Sequence, residues 1–128
     1  MKKLSQLWKK HNYNSIYSVL SEKNYNYTLG NIERDFSKID SSNKFCYLIY
    51  LLSRDYSVKN VLLICDFLTY TDTFFYDIHP VIRMITQHAI EFFPTDNTLL
   101  EWIILTYENH PDSPFTNEEI NKYKAKIK

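Results

Sequence analysis

The chain has 128 residues, 15 Lys and Arg against 15 Asp and Glu, one Gly, four Pro and two Cys. That length suits one domain with a real core, and 16% aromatic with 23% charged residues argue against a disordered tail. No apolar run approaches the ~18 residues of a membrane span, and residues 1–10 lack the apolar segment of a secretory signal.

Apolar spacing points to helices from the first residues onward. Leu4, Leu7, Trp8 and His11 fall at i, i+3, i+4 and i+7, and Ile16, Val19 and Leu20 continue on a second short helix. After Gly30, a weaker stripe of Ile32, Phe36 and Ile39 predicts a helix capped by Asn31. Asp40, Ser41 or Ser42 caps the next, whose Phe45, Leu48, Ile49 and Leu52 are widened by Tyr47, Tyr50 and Leu51 into a surface apolar nearly all round. Such a helix is expected to be buried. Ser57 opens a run carrying Val58, Val61, Leu62, Cys65 and Leu68.

Residues 69–77 are rich in β-branched and aromatic side chains, which is strand-like. A lone strand would lack a partner, so the stretch reads as a helix end followed by an aromatic loop. Pro80 suits the first turn of a helix with Ile82, Ile85, Ala89 and Phe92, and Pro94 stops it. Thr95 or Asp96 caps a helix bearing Leu99, Leu100, Ile103 and Tyr107. Thr116 with Glu119 makes a capping box for a last one through Ile120, Tyr123 and Ile127. The expected fold is therefore all-α, a single domain over 1–128 of about seven or eight helices in antiparallel hairpins. Residues 62–70 and 99–107 share the pattern LL, four residues, LTY, displaced by 37. That match is compatible with a short HEAT-like array.

The zero net charge hides a strong segregation. Residues 1–59 carry ten basic and five acidic residues, for +5; residues 60–121 carry only Arg83 against ten acids, for −9; residues 122–128 add four Lys. A block at −9 attracts cationic partners and repels nucleic acid. Its carboxylates are interleaved with Phe74, Phe75, Tyr76, Trp102 and Tyr107, and acid beside exposed rings is the composition of an interface against a basic protein.

Classical chemistry is sparse. Arg83 and His88 have the R-x4-H spacing of the HEPN family of small helical ribonucleases and resemble its catalytic pair, with imidazole for the 2′-OH proton and Arg for the phosphate. Five helical residues set them about 140° apart around the axis, and Met84 stands where that family usually has a polar residue. The plainer expectation pairs Arg83 with a local carboxylate and leaves His88 at the surface. His11, His79 and His110 have no His or Cys at i+3 or i+4, so no metal is expected. Cys46 and Cys65 sit in no metal spacing and read as core thiols of a cytosolic protein. One Gly cannot build a phosphate-binding loop.

A small all-helical chain with an acidic face and no catalytic groups resembles the immunity proteins of bacterial toxin systems, especially those paired with contact-dependent inhibition or polymorphic nuclease toxins. The resemblance is one of type over the whole chain. It rests on the −9 block, the loop at 70–77 and an Asn, Ile, Lys and Tyr content of 47 in 128 residues that suggests an AT-rich gene. It implies a cytoplasmic protein that binds and blocks a cognate toxin, a basic nuclease, with no cofactor, no membrane and no direct nucleic-acid contact. The toxin-facing set would be Asp66, Asp72, Tyr76, Asp77, Glu101 and Glu108. The alternatives are a HEPN-like ribonuclease using Arg83 and His88, or a helical-repeat adaptor.

Overall fold

The structure, a computed structural model, describes residues 2–71 and 76–127, with Lys2 described by its backbone alone. It is all-α, with eight helices and no strand among the described residues. None of these helices is long and apolar enough to cross a membrane. Contacts gather the chain into two compact units, Met1–Phe74 and Phe75–Lys128.

Unit 1 holds α1 (Lys2–Lys9), α2 (Tyr13–Glu22), α3 (Leu29–Asp35), α4 (Ser41–Arg54) and α5 (Val58–Tyr70). α1 packs on α2, α2 on α4, α4 on α5 and α3 on α5. α1 is shorter than its apolar stripe predicts. His11 lies past the helix end, exposed and left-handed at φ 55°; its amide bonds Trp8 O and that of Asn12 bonds Leu7 O. Those two bonds are the Schellman arrangement, with His11 in the place glycine usually takes. Asn24, at φ 52°, ends α2 in the same way, its amide bonding Ser21 O and that of Tyr25 bonding Leu20 O. The single glycine, Gly30, is spent inside α3 without positive φ.

Two further elements differ from their sequence reading. α3 is capped by Thr28, which accepts from Asn31 N at 3.1 Å, and it ends at Asp35, so Ile39 is not on it. On α4 the buried side chains are Lys44, Tyr47, Leu48 and Leu51, while Ile49 is 41% exposed and Cys46 is exposed. The true face runs i, i+3, i+4, i+7 from Lys44, whose stem lies inside while its ammonium reaches Glu33 Oε1 at 3.5 Å. Cys46 is thus not a core thiol. Cys65 is, and burial pushes its pKa up, with the Asp66 charge adding to the effect.

Aromatic rings carry the packing around Trp8. Its ring lies 5.1 Å from Phe36, 5.3 Å from Tyr47 and 6.3 Å from Tyr13, centroid to centroid. Tyr47, 2% exposed, shares a 2.6 Å hydrogen bond with the Tyr27 hydroxyl, and desolvation raises its pKa. Asn43 ties the α1–α2 corner to α4: its Nδ2 donates to Trp8 O at 3.0 Å and its Oδ1 accepts from Tyr13 OH at 2.5 Å.

Unit 2 holds α6 (His79–Phe92), α7 (Asn97–Tyr107) and α8 (Asn117–Lys126), with α6 and α8 both packing on α7. Pro80 stands in the first turn of α6, Asp96 caps α7, and Thr116 with Glu119 forms the expected capping box on α8. Ile82, Ile85, Ala89, Leu99, Leu100, Ile103, Tyr107, Phe115, Ile120 and Tyr123 are buried. The 37-residue match does not extend to burial. Leu68 is 1% exposed but its counterpart Leu105 is 87% exposed; Tyr70 is exposed but Tyr107 is buried.

Truncating Tyr47 to Ala removes the ring that Trp8, Tyr13, Tyr27 and Tyr50 all touch, and should cost about 3–5 kcal/mol. Tyr47→Phe removes only the hydroxyl pair and should cost about 1 kcal/mol. Urea denaturation near pH 7 measures both, and equal losses would contradict this picture of the cluster.

Candidate functional site

The six residues expected to face a toxin are divided between the two units. Asp66 lies on α5 in unit 1, half-buried. Asp72 and the aromatic loop residues 72–75 fall outside the described residues. Tyr76, Asp77, Glu101 and Glu108 belong to unit 2.

Within unit 2, one hydrogen bond organises these four. His79 Nδ1 and the Tyr107 hydroxyl lie 2.8 Å apart, joining the start of α6 to the end of α7. Asp77, whose Oδ1 accepts from His79 N at 3.1 Å, and Glu108, at the end of α7, therefore share one end of the unit. Tyr76 is fully exposed there. Glu101 is seven residues before Glu108, which puts both on one stripe of α7 about 10 Å apart.

Between those carboxylates lies a residue that the sequence reading did not select. Leu105 is 87% exposed, and with Glu101, Ile104, Lys124 and Ile127 it lines an open groove of about 530 Å³ along α7 and α8. A signal for it exists in the sequence: Leu105 falls off the stripe Leu99, Ile103, Tyr107 that enters the core. Of the rings expected to be exposed, Trp102 is half-buried and Tyr107 is 1% exposed, filling the core against Phe115 instead.

The electrostatics also change on folding. Lys124 of α8 forms a salt bridge with Glu108, so one lysine of the basic tail folds onto the end of α7. Counted by unit, Phe75–Lys128 has five basic and eight acidic residues, for −3, and Met1–Phe74 has ten and seven, for +3. The −9 block is thus a feature of the linear chain. What remains acidic on the groove is Glu101, which has no basic partner among the described residues.

Arg83 is engaged structurally. Its two terminal nitrogens donate to Glu119 Oε1 and Oε2 at 2.8 Å each, Nη1 also donates to Pro114 O at 2.9 Å, and the guanidinium lies 5.2 Å from the Phe115 ring centre. The Glu119 hydrogen bond raises the Arg83 pKa, and Arg83 holds the Glu119 carboxyl down at about 2. His88 is exposed on the same helix. Arg83 does pair with a carboxylate, but with Glu119 on α8 and not with the local one expected.

Among the described residues no group of three or more His, Cys, Asp or Glu is placed to hold a metal. Comparison of the chain with protein-family models, curated proteins and solved structures finds no match.

The depressed carboxyl sets a pH dependence. Because the folded pKa of Glu119 lies below its ordinary 4.5, its stabilisation is complete above that value and is lost as pH falls from about 4.5 towards about 2. Both partners keep some water contact, at 36% and 28% side-chain exposure, which limits the pair to about 1–2 kcal/mol. Glu119→Gln should be destabilised by that amount at pH 7, with the gap to wild type closing below pH 3. A gap in urea denaturation that stays constant from pH 7 to 2.5 would contradict the assignment.

Proposed function

We propose that the protein is a binding inhibitor of the immunity type, which holds a cognate bacterial toxin, a basic nuclease, in the cytoplasm of the producing cell. On this reading it is not an enzyme and uses no cofactor, and unit 2 carries the main contact surface. The single observation that supports this most is Leu105, a leucine 87% exposed on a helix stripe between Glu101 and Glu108 and beside a groove. Leu105 stands with Ile104 and Ile127 in one groove edged by Glu101 and Lys124, and an apolar patch with a polar rim is the make-up of a docking face.

Leu105 and the fully exposed Tyr76 serve as apolar anchors that become buried on binding. Asp77 and Glu101 pair with toxin Lys or Arg that would otherwise hold substrate phosphates. Glu108 contributes less, since Lys124 already neutralises it. With unit 2 at −3 and not −9, charge steers encounter modestly and the anchors supply most of the affinity. A HEPN-like ribonuclease would need Arg83 at a phosphate, and its guanidinium is occupied by Glu119 and Pro114 O.

The test is growth protection by co-expression with the toxin-like product of the adjacent reading frame. Cells should survive with the wild-type chain. Leu105→Ser with Glu101→Lys, both at exposed positions, should weaken toxin binding at least 100-fold and abolish protection while helix content is unchanged. Full protection by that double variant would refute the assigned surface. A neighbouring product that neither harms cells nor co-purifies with the chain would refute the immunity reading itself.

A further inference from the structure

Unit 1 contains a second concave site, unrelated to the α7 groove. A pocket of about 490 Å³ opens between α1, the end of α2 and the segment leaving α3. Leu4, Trp8, Leu20 and Phe36 are its buried walls with half-buried Ile39, and the polar lining is Ser5, Lys23, Tyr25, Asp35, Ser37 and Lys38. Size and make-up, apolar walls with a few polar groups, are those of a small-molecule site.

Two observations say what the occupant should be. Trp8 is 2% exposed, and its indole N–H is buried without a hydrogen-bond partner, which costs about 1–3 kcal/mol. It is the one such side-chain atom among the described residues. Trp8 lines the pocket but its indole nitrogen is closed off from solvent, so an acceptor on a ligand meets it through the small side-chain shifts that binding commonly induces. In the polar lining, Lys38 is exposed and has no ion pair among the described residues. The carboxylate nearby, Asp35, is already held by Tyr25 OH at 2.8 Å and by Arg34 at 2.9 Å, so it does not cancel the Lys38 charge.

We propose that this pocket binds a small apolar carboxylate, a medium-chain fatty acid or an arene carboxylic acid. The hydrocarbon fills the Leu4–Leu20–Phe36–Ile39 wall, and the carboxylate is shared between the Trp8 N–H and Lys38.

The indole N–H makes its own reporter. In the 15N-labelled full chain there are two indole signals, from Trp8 and Trp102, told apart by Trp8→Phe. Titration with decanoate should shift the Trp8 signal saturably, with a Kd of about 1 mM or tighter for a ligand of that size, and leave Trp102 in place. Ser5→Phe, which fills the pocket from an exposed position, should abolish the shift. Lys38→Glu should weaken decanoate about fivefold or more and leave decanol unchanged. Decanol binding as tightly as decanoate to the wild-type chain would overturn the carboxylate assignment. No saturable Trp8 shift, parallel shifts of both indoles, or unchanged binding by Ser5→Phe would overturn the site.

Discussion

In unit 2, α6 and α8 both rest on α7, and the guanidinium of Arg83 spans from the first to the last across Pro114 and Phe115. The carboxylate it meets is the one that closes the capping box of α8, since Glu119 also accepts from Thr116 N at 2.9 Å. Glu119 thus caps the start of α8 and ties it to α6 through Arg83, which also holds the Pro114 carbonyl. Gln87, one turn further along α6, donates to Tyr123 OH at 2.8 Å and repeats the link. With α6 and α8 so held, α7 can turn Leu99, Leu100 and Ile103 inward and leave Glu101 and Leu105 outside.

Unit 1 is organised differently, by rings and neutral hydrogen bonds. Trp8, Tyr13, Phe36 and Tyr47 meet at offset and edge angles, and Asn43 satisfies the backbone and hydroxyl groups at the α1–α2 corner. Left-handed His11 and Asn24 make its turns. Trp8 and Phe36 of this cluster also line the pocket of unit 1, and the unpartnered indole N–H of Trp8 supports the ligand site proposed there.

Local signals were legible in the sequence because they depend on neighbours a few residues away. Pro80 in the first turn, Ser57 and Asp96 as caps, and the Thr116–Glu119 box all follow from backbone groups that the same turn must satisfy. The buried face of α4 was not legible, since Lys44 enters the core only because Glu33 on another helix meets its ammonium. Nor was the charge pattern, because pairing of Lys124 with Glu108 brings together residues that a linear count assigns to opposite blocks. Four of the six expected contact residues fall in unit 2, yet the groove's most exposed anchor, Leu105, was hidden by its resemblance to the buried Leu68.

The account makes Arg83 a strut and puts recognition on the outer face of α7. Binding then depends on what α7 presents and only indirectly on the pair that holds it. An apolar pair of similar size keeps the packing between α6 and α8 and gives up only the Glu119 half of the capping box, at about 1 kcal/mol. The direct test is growth protection against the toxin by a chain carrying Arg83→Met together with Glu119→Leu, its helix content checked by circular dichroism. Protection should equal that of the wild-type chain; a folded variant that no longer protects would show that Arg83 acts in function itself and not as a strut.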